Sequence, residues 1–111
     1  MPSTLSDVWY DIGDRVRLSV EVRDREAAPT DGVYPLVDPD VLVFKMLEPD
    51  AVTTTYTFGV DAELVHDGVG EFHVNWDTAQ SGVHWSRFSA SGNVGAAEEL
   101  GFKVLPSKVL P

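Results

Sequence analysis

The most regular pattern of apolar and polar positions lies between residues 15 and 23. Val16, Leu18, Val20 and Val22 alternate with Arg15, Arg17, Ser19, Glu21 and Arg23. Side chains along an extended chain point to opposite faces in turn, so this stretch predicts a strand with one face in a core and one in water. A slip of one residue would bury the charges, which fixes the register.

The same reading places further strands. Residues 41–47 set Leu42, Phe44 and Met46 on one face. Val41, Val43 and Lys45 on the other make it the more apolar and central strand. Pro49-Asp50 predicts a turn, and residues 52–58 align Val52, Thr54, Tyr56 and Phe58. A hairpin follows, with strands at 63–66 and 71–76 across Asp67-Gly68-Val69-Gly70. Phe72, Val74 and Trp76 form its apolar face; Glu71, His73 and Asn75 form the other. Residues 83–90 put Val83 and Trp85 on one side and His84, Ser86 and Phe88 on the other. A last strand covers 97–105. Tyr56, Phe58, Phe72, Val74, Trp76 and Trp85 are assigned to the core, which makes the ladder over 53–90 a scaffold.

No segment has helical periodicity. About seven short strands at roughly 8–12-residue spacing predict an all-β fold, a β-sandwich first and a small barrel second. Residues 24–40 read as a loop, because Pro29, Gly32, Pro35 and Pro39 exclude a central strand. Tyr34, Leu36 and Val37 are its apolar anchors. Residues 1–14 read as an N-terminal arm, since Pro2, Ser3, Thr4 and Ser6 begin a strand poorly. Its Trp9 and Tyr10 either plug one end of the core or dock on a neighbouring subunit. The domain proper spans 15–105, and 106–111 is a tail. In that tail Lys103-Val104-Leu105-Pro106 recurs as Lys108-Val109-Leu110-Pro111. The repeat is either chance at a frayed end, or an extended arm whose Val109 and Leu110 fill a neighbour's groove.

The 111 residues fit one domain. No cysteine is present, which excludes disulfides, a thiolate nucleophile and cysteine-based metal sites and is compatible with a reducing compartment. Neither a signal peptide nor a membrane-spanning run is expected. Eighteen acidic against eight basic residues give a formal charge of −10. Such a chain is repelled by nucleic acid and anionic lipid, so its partner surface is expected to be neutral or basic.

Candidate chemistry changes this picture little. His66, His73 and His84 lack metal-ligand spacing and read as solvated strand-face residues. Carboxylates near Asp38, Asp40, Asp61, Glu63 and Asp67 do not form a calcium loop. The serines lack a nucleophile elbow and there is no phosphate loop, so neither an enzyme nor a metal or other cofactor is expected. Arg87 shares a strand side with Trp85 and suits a structural cation–π or ion-pair role.

An ordered set of segments adds one more expectation. Tyr10-Asp11-Ile12-Gly13-Asp14 precedes Val16-Arg17-Leu18, and Asp38-Pro39 precedes a strand. Thr55-Tyr56-Thr57-Phe58-Gly59 and Asp67-Gly68-Val69-Gly70-Glu71-Phe72-His73 come next. Gly82-Val83-His84-Trp85-Ser86-Arg87-Phe88 and Ala96-Ala97-Glu98-Glu99 complete the set. Over about residues 9–105 the chain resembles small immunoglobulin-like structural proteins of tailed bacteriophages. The resemblance implies an immunoglobulin-like β-sandwich of about seven antiparallel strands with N- and C-terminal arms. It further implies a non-enzymatic virion component, a decoration, minor head or connector protein assembled in the host cytoplasm. Its partners would be major capsid, portal or connector proteins, met in multiple copies in a symmetric assembly, with no nucleic acid and no membrane. It transfers no catalytic residues. The candidate interface residues are Trp9, Tyr10, Tyr34, Leu36, Val109 and Leu110. The competing reading is a glycan- or host-surface-binding module, for which Trp9 and Tyr34 would be the stacking aromatics.

Overall fold

A computed structural model describes residues 4–106. Eight strands follow one another: β1 (Thr4–Asp11), β2 (Arg15–Glu21), β3 (Val41–Leu47), β4 (Thr53–Thr57), β5 (Val65–Gly68), β6 (Glu71–Asp77), β7 (Gly82–Ser91) and β8 (Ala96–Leu105). They form two sheets, a five-stranded one in the order β1-β8-β7-β3-β4 and a three-stranded one in the order β2-β6-β5. The fold is a β-sandwich rather than a closed barrel. Every pairing is antiparallel except β1 with β8, which is parallel.

The alternation in β2 does what it predicts. Val16, Leu18, Val20 and Val22 are buried while Arg15, Arg17, Ser19 and Glu21 are exposed. β2 pairs with β6 without a slip from Arg15 opposite Asp77 to Glu21 opposite Glu71. Phe44 of β3 is fully buried at the centre of the core. Its ring centre lies 4.9 Å from that of Phe88 and 6.4 Å from that of Trp76. Burying one such ring contributes roughly 1.5–3 kcal/mol.

Three expectations are corrected. Within the expected 1–14 arm, Thr4–Asp11 is an edge strand beside β8, with a register shift between Leu5 and Trp9. Trp85 is not a core residue; it is half-buried on the outer face of the five-stranded sheet, and His84, Ser86 and Phe88 are buried in its stead. Among the histidines only His66 is exposed, while His73 is 7% and His84 0% accessible.

The segment 24–40 is loop, as its prolines require, but it is tied along its length. Asp24 N donates to Pro35 O at 2.9 Å and Val37 N to Val22 O at 3.0 Å. Arg23 Nη1 donates to Tyr34 O at 2.7 Å. The loop meets the β5–β6 turn at Gly70, whose φ is +69°, where an added Cβ would stand 2.6 Å from Val22 O and 2.9 Å from Val37 N. Only glycine satisfies both the left-handed backbone and the close approach.

Candidate docking face

The outer face of the five-stranded sheet is built by register alone. Trp9 of β1 lies opposite Lys103 of β8, which lies opposite Val83 of β7. The next row on this face runs Leu5, Gly101, Trp85, Leu47 and Thr53 across all five strands. A further row runs Glu99, Arg87, Lys45 and Thr55. Leu5 is 42%, Trp9 55% and Leu47 41% exposed, an apolar band of the kind that marks interaction surfaces.

Two contacts shape the band. Trp85 lies flat over Gly101: a Cβ on that glycine would stand 2.5 Å from the indole Cζ3. The glycine is the seat that lets the indole lie down across β8. The ammonium of Lys103 sits 4.8 Å from the Trp9 ring centre, a cation–π contact that covers one ring face. Beside Trp85 a shallow depression of about 400 Å³ is lined by Leu47, Thr53, Lys45, Arg87 and Glu99. Lys45, Arg87 and Lys103 stand on this face against Glu99 and Asp11, in a chain of formal charge −10.

The polar clusters elsewhere tie the structure together. His73 Nδ1 donates to Asp67 at 2.7 Å, and Arg17 Nη2 reaches the same carboxylate at 3.4 Å. His66 Nε2 lies 2.9 Å from Asp38 Oδ1, which also accepts the Gly70 N–H at 2.7 Å. That backbone N–H first, and His66 second, hold the Asp38 carboxyl below the usual carboxylate range. Arg15 Nε and Nη2 grip Asp77 at 2.7 and 3.0 Å, which lowers the Asp77 carboxyl. His84 stacks on Phe102 at 5.1 Å, with Nε2 unpartnered among the described residues. Ser19 stands opposite His73 in register, but among the described residues no hydroxyl hydrogen-bonds to either histidine, and no three of His, Cys, Asp and Glu converge as metal ligands.

The residues singled out from sequence fall in different places. Trp9 is on the outer face of the five-stranded sheet. Tyr10, its neighbour, turns inward and meets Phe102 edge-on at 5.6 Å. Tyr34 and Leu36 are half-buried on the 24–40 loop, far along the chain from Trp9, with the Arg25 guanidinium 5.8 Å from the Tyr34 ring centre. Val109 and Leu110 lie outside the described residues. Sequence reasoning passed over Leu5, Leu47, Trp85 and Lys103. The signal for Trp85 was present, since it alternates with His84, Ser86 and Phe88, but the larger residue was given to the core. No protein-family model matches the chain, and no curated protein matches it either.

Proposed function

We propose that this chain is a non-enzymatic virion structural protein, an immunoglobulin-like module that docks on a capsid or head-to-tail connector surface. The observation that carries this reading is the outer face of the five-stranded sheet. It is broad, apolar along the Leu5–Trp85–Leu47 row, and flanked by Lys45, Arg87 and Lys103. Interface cores favour aromatics and exclude charge, and their rims are polar. The strand order supports the immunoglobulin-like part. One sheet of that fold carries strands G, F, C and C′ and the other carries B, E and D; β8, β7, β3, β4 and β2, β6, β5 fit those places. The ordered motifs that resemble phage structural proteins supply the virion context and the capsid, portal or connector partners. The acidic remainder of the surface disfavours nucleic acid and anionic membranes.

The test is co-sedimentation of the purified protein with particles that lack it. Saturable binding with a fixed copy number per particle is expected; failure to bind heads, connectors or tails would remove the reading. One observation favours a second reading: the exposed Trp9 ring offers a free face for sugar stacking. A glycan array with wild type and Trp9→Ala decides it, because a glycan-binding module would give ring-dependent hits.

A further inference from the structure

The two sheets differ in width, and this leaves a seam open along one side. β1 joins β8 only from Leu100 onward, so among the described residues no strand lies beside residues 96–99 on that edge. β2 is likewise an outer strand of its own sheet. Between these two free edges lies a cleft of about 500 Å³. Its floor is Leu42, Phe88 and Ala90, Val20, Val22 and Ala96 line its sides, and Glu21, Arg23 and Arg25 stand along the β2 side. Ala90 and Ala96 are opposite one another, so the cleft is deep where a larger side chain would otherwise fill it. Glu98 is exposed at the mouth, on the register position opposite buried Phe88. A charge set inward on a sheet edge repels most added strands. It admits one that brings a matching cation.

We propose that this cleft accepts residues 107–111 of a second copy of the chain by strand addition. The segment reads Ser-Lys-Val-Leu-Pro. Laid antiparallel with Lys108 opposite Glu98, it sets Leu110 opposite Ala96, over the Ala90–Leu42 floor. Val109 then faces outward. Free backbone groups of the edges supply the affinity, and the Leu110 pocket and the Lys108–Glu98 pair supply the selectivity. The donor is a second copy because of reach. From Leu105 back to Ala97 is about 26 Å of strand, whereas five extended residues span at most about 17 Å. Passed on in one direction the contact builds a ring or an open array, and exchanged reciprocally it closes a two-fold dimer. The proposal rests on the reading of the chain as an assembly module, and names how neighbouring copies touch.

The experiment needs no particle, so its failure is separate from failure of the docking reading. Isotope-labelled full-length protein is titrated with a synthetic peptide covering residues 105–111, and amide shifts are followed. Saturable shifts centred on residues 19–23 and 96–98 are expected. Glu98→Lys in the protein, or Lys108→Glu in the peptide, weakens binding by about two- to fivefold, the range of a partly exposed ion pair. Combining the two changes restores it. Three results overturn the proposal: no shifts at the cleft up to the peptide's solubility limit, shifts centred on the outer face around Trp85, or binding that appears only after deletion of residues 1–3. The last would assign the cleft to the chain's own N-terminal residues.

Discussion

Gly101 exists for Trp85. The indole covers the place where a Cβ would stand, at 2.5 Å, so Gly101→Ala must lift the ring or push β8 aside. Overpacking of this kind costs about 1–3 kcal/mol. Denaturant unfolding should show that loss, together with a more exposed indole emission. Trp85→Ala in the same chain should relieve most of it, because residues in contact do not add. Additive losses would mean that the two do not touch. His84 makes the opposite case. Its Nε2 is buried without a partner among the described residues, and an unmade bond at a buried nitrogen costs about 1–3 kcal/mol. His84→Leu keeps the packing on Phe102 and removes that cost. Its melting temperature is expected to equal or exceed that of the wild type; a fall of many degrees would reveal a partner for Nε2.

At the scale of elements, the weakest-looking part of the chain is the loop 24–40, and Asp38 is its anchor. Its carboxylate accepts the Gly70 N–H and the His66 Nε2–H, which joins the loop to the β5–β6 turn. Its folded-state carboxyl titrates below the ordinary value of 3.8. A group lowered in this way contributes stability that is present above the unfolded value and is lost as pH falls through the folded one. Wild type should therefore melt above Asp38→Asn at neutral pH, and the gap should close as the pH is taken below about 3.8. A gap that stays constant on acidification would contradict the anchor. The same elements show how much a sequence reveals. β2 and β3 were legible because alternation is strict and each buries one face; Val41–Leu47 was read to the residue. β1 was not, because Thr4–Asp11 owes its strand form to pairing with β8 and not to its own pattern. The histidines were misread for a related reason. Polar type predicts exposure, but His73 is buried with Asp67 as its partner and His84 against Phe102.

For the whole molecule the proposed docking face was the least legible. Of the candidate interface residues that the structure describes, only Trp9 lies on it. Leu5, Trp85 and Leu47 come from three strands, and only the sheet order β1-β8-β7-β3-β4 puts them in one row. No local window of sequence contains that row. The charge is distributed unevenly: a molecule of formal charge −10 presents Lys45, Arg87 and Lys103 around its apolar band, which suits a neutral or acidic partner surface rather than the basic one its net charge suggests. Binding through this face should weaken only mildly with salt, since rim charges affect the on-rate more than the affinity. The direct measurement is a set of particle-binding curves for wild type, Leu47→Glu and Asn75→Glu. Leu47 and Asn75 are both exposed strand residues, on the outer faces of opposite sheets. Leu47→Glu should weaken binding by about tenfold or more, the loss expected when a contact in an interface core costs more than 1.4 kcal/mol, while Asn75→Glu binds as wild type. Equal curves for wild type and Leu47→Glu, or a loss confined to Asn75→Glu, would contradict docking through the five-stranded sheet.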